Sequence, residues 1–535
     1  MKQIRSFIIC SLIACTVPLI TYSDEFNDFS TDGMDIFADD PELDGSMPID
    51  MTIKRSTPAE IINFLQELHI VDLLQHNIYL RTNPLNTRSL LDYSIYFDQK
   101  VSYDCPWLVG AHGFYNQTSR AYFTSNSDCI SSYLNVTDPA LLADIQAATS
   151  AAQGLGFCPP DLDPLAVIPL FNNFTVQDRR IGAMIHAARF WDKATLRMWL
   201  PLYYLERNFY LTDLERESIE TALGALTADE QARFQRDHLV SDKFGFGDTR
   251  LEAGFLVRDH ETTRIELGFY ATIPTAVALY SNIMGNTFHE CQARPIFDFA
   301  NLFNLACTDL AQTLVIATDF MLGALDMLAA NLLDEKLGNG GHFGLGLYSQ
   351  GQTRLHQCPE NIYLWSKIKL EYLLPAHENR FFINQVDTSC FDSRNFSNTD
   401  PAISADNLNF VDQQIVDRLY PYVLRTLVYP GIVFQWTGKA CYEAKSWGSS
   451  LGLDAWCQGP ESFGDVKCCL IPCQNLNYDT AKLPFAAQGK ILGEVFFKAH
   501  RPTHQWIVSF NGDYTFVSSG IGKDFSISAN VEVNF

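Results

Sequence analysis

The densest groups of reactive side chains in this chain lie on the polar faces of alternating segments. Arg250, Glu252 and Arg258 share one face of a segment, and Arg264 and Glu266 follow on the next. Lys367, Lys369 and Glu371 recur at a spacing of two further on. In an extended segment every second residue points the same way, so each group presents charges of both signs to one side. Across an aqueous passage, opposed charges create a transverse field that orders water and polar solutes. That is the chemistry of conduction and binding. If the charges pair with each other and with an internal plug, they build a closed wall instead.

Residues suited to bond-making chemistry are sparse. Gly448-Ser449-Ser450-Leu451-Gly452 matches the G-x-S-x-G elbow of a serine nucleophile, but that elbow needs a strand-turn-helix context. Here it sits inside an alternating segment, where small residues in a wall account for it. The twelve histidines include no HExxH or other ligand spacing. Gly245-Phe246-Gly247-Asp248 precedes an extended segment and opens no helix, so it is not a phosphate loop. Cys468-Cys469 with Cys473 lacks the paired spacing of a zinc site. No catalytic residue, metal ligand or cofactor is expected, and the chain does not read as an enzyme.

The elements that must position these residues follow from composition and period. With 38 basic residues against 62 acidic ones, the net charge of −24 argues against a nucleic-acid partner. A hydrophobic fraction of 47 % rules out global disorder. Beyond residue 20 no uninterrupted apolar run reaches the length of a membrane helix. Yet 13 % of residues are aromatic in a chain whose mean hydropathy is −0.04.

The N-terminus reads as an export signal. Lys2 and Arg5 precede an apolar run from Phe7 to Ile20, and Thr21-Tyr22-Ser23 offers a cleavage site, giving a signal peptide over 1–23. Leu12-Ile13-Ala14-Cys15 is a rival reading, as a lipobox that would lipidate Cys15. Cleavage after Ser23 would take the charge from −24 to −26 and leave twelve cysteines, an even number that points to disulfides in an exported chain. Residues 24–53 hold ten acidic residues and no Lys or Arg, a solvated disordered leader. Thr57-Pro58-Ala59-Glu60 then forms a capping box opening a helix to about His76. Residues 54–80 form an N-terminal helical segment and a plug candidate.

The last twelve residues show the cleanest alternation. Phe525, Ile527, Ala529, Val531, Val533 and Phe535 interleave with Asp524, Ser526, Ser528, Asn530, Glu532 and Asn534, which gives one apolar and one polar face. A strand with this pattern and a terminal Phe resembles the last strand of Gram-negative outer-membrane β-barrel proteins, of porin-like or fatty-acid-transporter-like type. The resemblance implies a bacterial outer-membrane location, contact with outer-membrane lipid, and recognition of Val531, Val533 and Phe535 by the barrel-assembly machinery. Some such barrels are lipases or proteases with a rim histidine; His186 and His342 fall in strands, with no nucleophile placed beside them.

Further strands of membrane length are predicted at 106–116, 179–190, 195–206, 248–258, 263–273, 342–350, 361–373, 430–443, 446–456, 488–499 and 504–516, with a weaker one at 89–97. Connections at 191–194, 259–262, 444–445 and 500–503 are short. Those at about 117–178, 207–247, 274–341, 374–429 and 457–487 are long, the pattern of periplasmic turns and extracellular loops. Parity adds one strand within Asn77–Thr82. The fold class is thus mostly β with helical insertions: an antiparallel transmembrane barrel of about 14 strands, or 12, spanning 81–535. Leu211–Phe234, Phe297–Lys336 and Asn407–Leu427 read as loop helices. The expected function is a pore or transport channel for small solutes. A structural or adhesive surface barrel is the second reading. A soluble, disulfide-rich secreted glycoprotein is the third, with sequons at Asn116, Asn135, Asn173 and Asn395.

Overall fold

Alternation along the chain becomes closure in space. The computed structural model describes residues 56–76, 79–96, 106–121, 139–154, 175–210, 240–260, 262–282, 294–306, 310–357, 361–385, 387–467, 475–501 and 504–535. The strands in its first half are β1 (Trp107–Arg120), β2 (Thr175–Phe190), β3 (Ala194–Tyr210), β4 (Val240–Phe246), β5 (Thr249–Asp259), β6 (Thr263–Ile273), β7 (Val277–Asn282), β8 (Gly344–Gln357) and β9 (Asn361–Leu373). Then come β10 (Ala376–Phe382), β11 (Tyr422–Tyr429), β12 (Val433–Glu443), β13 (Trp447–Gln458), β14 (Ser462–Val466), β15 (Ala486–His500), β16 (Gln505–Ser519) and β17 (Lys523–Asn534).

Twelve of these form a closed antiparallel meander in the order β1-β2-β3-β5-β6-β8-β9-β12-β13-β15-β16-β17. The ring shuts where the last strand pairs with the first, in register from Leu108↔Asn534 to Thr118↔Asp524. Closure leaves no sheet edge with unpaired backbone, the condition for a β-structure to span lipid. The barrel is therefore twelve-stranded, and the larger count is corrected. Strand β3 pairs with β5 along its first half and with β4 along its second. So β4 and β7 prolong β5 and β6 beyond breaks at Gly247-Asp248 and Pro274-Thr275-Ala276, and add no staves of their own. Asp248 pins this break, accepting hydrogen bonds from the backbone of Ala276 at 3.2 Å and Asn339 at 2.6 Å. The segment expected as a strand at 89–97 is a 3-10 turn over Leu90–Tyr96. Within Asn77–Thr82, residues 79–82 form no strand, and 77–78 lie outside the described residues.

Polarity is inverted relative to a water-soluble protein. Along β17, Asp524, Ser528, Asn530, Glu532 and Asn534 are buried inside the barrel, while Ile527 and Val531 face outward, 60 % and 44 % exposed. Leu196, Phe255, Phe269, Leu347, Leu364, Leu370, Leu451, Phe497 and Phe510 continue the exposed apolar band. Trp107, Trp191, Trp447 and Trp506 all stand outward at the end of the barrel that carries the short turns, as an aromatic girdle at a membrane interface does. This outward band overturns the soluble glycoprotein reading. Asn116 is buried on the inner face of β1, where it donates to Asp524 at 3.0 Å. Asn395 is exposed, and Asn135 and Asn173 lie outside the described residues.

The opposite end, where the long connections emerge, carries a helical cap. Helices α1 (Pro58–Glu67), α2 (Ile70–Gln75), α3 (Pro139–Gly154), α4 (Phe299–Ala306), α5 (Leu310–Leu333), α6 (Ser389–Asp392) and α7 (Pro401–Leu419) contribute to a shared apolar core. It contains Ile61, Leu65, Ile145, Phe320, Val411 and Ile415. Burial against each other is what stabilises such amphipathic segments. The capping box of α1 forms: the Thr57 hydroxyl accepts from the Glu60 amide at 3.3 Å, and the Glu60 carboxylate accepts from the Thr57 amide at 2.8 Å. The helix breaks before His76, at His69, whose φ is +56°. Helix Asn407–Leu427 is corrected: α7 stops at Leu419, because Pro421 follows and Tyr422–Tyr429 pairs as β11 with β10 and β14. Leu211–Phe234 lies outside the described residues. No described helix is long and apolar enough to cross a membrane.

The disulfide expectation is also corrected where the chain is described. Cys390 and Cys457 are free thiols. Cys441 and Cys457 lie on adjacent strands but pair in register with Ser450 and Phe434. The cluster Cys468-Cys469-Cys473 lies outside the described residues.

Candidate functional site

The lumen is occupied by the chain's own N-terminal part. From the cap, where the Leu80 amide bonds the Arg418 carbonyl at 3.0 Å, the chain descends into the barrel and ends in the 3-10 turn Leu90–Tyr96. Every residue of that turn is buried. Residues 58–75 of the expected 54–80 plug instead form α1 and α2 in the cap, so the segment that runs from the cap into the wall is Leu80–Tyr96.

A 3-10 turn inside a barrel leaves backbone carbonyls without helical partners, and each must be satisfied locally. Long cationic side chains of the wall supply the donors. Arg180 donates to the Arg88 carbonyl at 2.7 Å, Arg250 to Leu91 at 2.8 Å and Lys439 to Tyr96 at 2.7 Å. Gln435 donates to the Asp92 carbonyl at 3.1 Å. The plug's own side chains reach back. Arg88 pairs with Asp454 at 2.7 Å, and Asp92 accepts from Trp456 at 3.1 Å. Tyr93 donates to Asp524, which pairs with Lys490 at 2.7 Å. Leu90, Leu91, Ile95 and Tyr96 pack among Phe114, Met184, Trp199, Tyr363 and Trp365.

Six of the eight predicted pore-lining residues come together here. Arg250 bonds Glu371 at 2.9 Å. Glu252 bridges Lys367 at 3.0 Å and Lys369 at 3.1 Å. Glu266 takes two hydrogen bonds from Arg197, at 2.9 and 3.3 Å. Lys369 also donates to Ser94 of the plug at 3.3 Å. Arg258 and Arg264 do not join them. The β5–β6 ladder slips between Leu256 and Arg258, and this bulge breaks the alternation that put Arg258 inside. Arg258 is exposed near the turn, and Arg264 pairs with Asp259 across it at 3.0 Å. Arg197, Lys439, Lys490, Asp513 and Asp524 belong to the same buried set and were missed, although they obey the same period-two rule. Ser450 of the G-x-S-x-G match faces inward and donates to Glu494 at 3.0 Å.

Above the plug, at the loop end, a cavity of about 640 Å3 is lined by Arg88, Arg180, Arg207, Glu335, Glu371 and Arg380. Its far side is set by Glu378, which pairs with Lys336 at 2.9 Å, Arg380 at 2.9 Å and His342 at 3.1 Å. Burial alone would raise the Glu378 pKa; Arg380 and the other donors outweigh it and hold the carboxyl well below its usual range. At the turn end, below the plug, His112, His186 and Glu532 meet as a buried group with the donor types of a metal site.

No protein-family model matches the chain, and no curated protein matches its sequence. Solved structures do match in outline. An outer membrane channel from Pseudomonas putida F1 is 10 % identical with a TM-score of 0.38, over 81 % of this chain and 96 % of that one. The transport unit of the autotransporter AIDA-I from Escherichia coli is 8 % identical with a TM-score of 0.31, over 90 % and 99 %. The Pseudomonas putida toluene transporter TodX is 6 % identical with a TM-score of 0.30, over 85 % and 95 %. Strand closure, an apolar exterior with its tryptophan girdle and a charged interior make the architecture of this chain that of a membrane-spanning antiparallel β-barrel.

Proposed function

We propose that the protein is an outer-membrane transport channel for small polar solutes, held closed by its own segment Leu80–Tyr96. On this reading the short turns, with Phe535, face the periplasm, and the helical cap faces outward. The observation that carries it is the mode of attachment. Wall cations hold the plug through its backbone carbonyls, at Arg88, Leu91 and Tyr96. The backbone contacts exchange for water at modest net cost once solvent enters, and the buried pairs Arg88–Asp454 and Arg250–Asp92 are the stronger ties that must break before the plug leaves the wall. The mixed-sign cavity above the plug supports a polar solute over an apolar one.

Conductance across planar bilayers tests the idea. Wild-type protein should be mostly silent, and Arg250→Ala with Lys439→Ala should raise open probability. A second reading is a surface barrel without transport, favoured by the pairing of Glu252, Glu266, Glu371 and Asp524 with lumen cations. Folded variants that stay silent under every applied voltage would establish that reading in place of ours.

A further inference from the structure

The group at the turn end of the lumen is built across the closure seam. Gly110 on β1 pairs in register with His186 on β2 and with Glu532 on β17, and His112 lies one inward position further along β1. Because Gly110 has no side chain, the imidazole and the carboxylate close over its backbone. A Cβ there would collide with His186 Cε1 and stand 2.9 Å from Glu532 Cγ. His112 Nε2 lies 2.8 Å from His186 Nδ1, and Glu532 Oε1 lies 3.6 Å from His186 Nε2 and 3.9 Å from His112 Nε2. One donor atom from each residue falls within 4.8 Å of the others, and all three residues are buried.

We propose that His112, His186 and Glu532 form a binding site for a divalent transition-metal ion. Two imidazoles and one carboxylate form a donor set that suits zinc, iron, nickel or copper over calcium or magnesium. The surroundings are those that orient such ligands. Asn530 donates to Glu532 Oε1 at 3.0 Å, fixing the carboxylate, and the Trp199 ring stacks on His186 with centroids 4.5 Å apart. The ligands come from the first, second and last strands of the wall. A bound ion therefore staples the junction at which the barrel closes, and its binding energy adds to that of folding.

Zinc alone is the probe. Untagged barrel is refolded into lipid with Zn2+, desalted, and its metal content measured by elemental mass spectrometry, with heat-modified gel migration reporting the fold. The expected result is near-stoichiometric zinc in wild type. His186→Ala and Glu532→Gln, folded to the same extent, should bind zinc more than about a hundredfold more weakly, beyond the loss typical of an outer-shell change. Co2+ in place of zinc should give visible ligand-field bands that His112→Gln abolishes. Chelation during unfolding should lower wild-type stability to that of the variants. If folded wild type keeps no more zinc than the variants, the three residues are a hydrogen-bonded cluster only and the proposal is overturned. Should His186→Ala fail to fold, the Glu532→Gln and His112→Gln comparisons decide by the same criterion.

Discussion

Arg250 on the wall donates to Asp92 on the plug, Nη2 to Oδ1 at 3.2 Å, with the guanidinium fully buried. The same nitrogen bonds Glu371 at 2.9 Å, and Nη1 bonds the Leu91 carbonyl at 2.8 Å. One cation thus ties the plug's side chain and backbone to two staves of the barrel, β5 and β9.

Removing that cation leaves two buried carboxylates, Asp92 and Glu371, facing each other. A buried ion pair deprived of one partner costs about 3–5 kcal/mol. Arg250→Ala should therefore lower the urea midpoint of the barrel in lipid vesicles, and expose the plug to protease added at the loop end. Arg250→Met with Asp92→Leu, which removes charge from both elements, should recover part of the loss. A single variant as stable and as protease-resistant as wild type would mean that the plug is not held by this contact.

The outward face makes its own prediction. Phe269 on β6 is 54 % exposed, in register with Leu347 of β8 and Ala253 of β5. If that face meets hydrocarbon, Phe269→Arg should cost about 2–4 kcal/mol in vesicles, as charges do near the bilayer midplane. In water the same change would be nearly neutral. Equilibrium unfolding separates the two, and a cost near zero would put this face in solvent.

The wall was legible because lipid outside and charge inside impose a strict period of two. Twelve predicted strands, 106–116 to 524–535, coincide with the twelve staves. Leu90–Tyr96 misled because its apolar and aromatic residues fit a strand as well as they fit a plug. Only the third dimension shows that Asp92 and Tyr93 meet hydrogen-bond donors from four different strands, Arg250, Gln435, Trp456 and Lys490. Arg258 failed through a bulge, which alternation cannot foresee. The His112–His186–Glu532 group was invisible for a simpler reason: the two histidines are 74 residues apart, Glu532 comes from the last strand, and they meet through barrel closure, so no local spacing marks them. The prolonged hairpin β4–β7 lay hidden in segments assigned to loops, because Gly247 and Pro274 read as strand ends.

The cap should respond to pH through Asp412 on α7. Its carboxylate accepts the Phe299 amide at 3.1 Å, at the start of α4. Burial, with Asp298 nearby, pushes its pKa from 3.8 up to about 7, against the opposing effect of that amide. The folded cap therefore binds more protons than the unfolded chain between about pH 4 and pH 7, so its stability falls as pH rises through that window. Protection factors for amides 299–306, with the intrinsic pH dependence of exchange divided out, should be larger at pH 5 than at pH 8. Asp412→Asn should remove most of the difference. Protection that rises with pH would contradict this account.

Phe535 and Trp107 join the end of the chain to the start of the wall through two backbone hydrogen bonds, at 3.0 and 3.1 Å. The Phe535 side chain itself is half exposed and points outward with Val531. Its deletion therefore removes two hydrogen bonds, about 0.5–1.5 kcal/mol each, and little packing. Refolding into lipid vesicles without cellular factors should then lose at most about 3 kcal/mol of stability. If Val531, Val533 and Phe535 serve as the assembly signal that we propose, assembly in cells should fall much further. Measuring both quantities on the same variant separates recognition from stability. A loss in cells no greater than the loss in vesicles would leave Phe535 with a purely structural part at the seam.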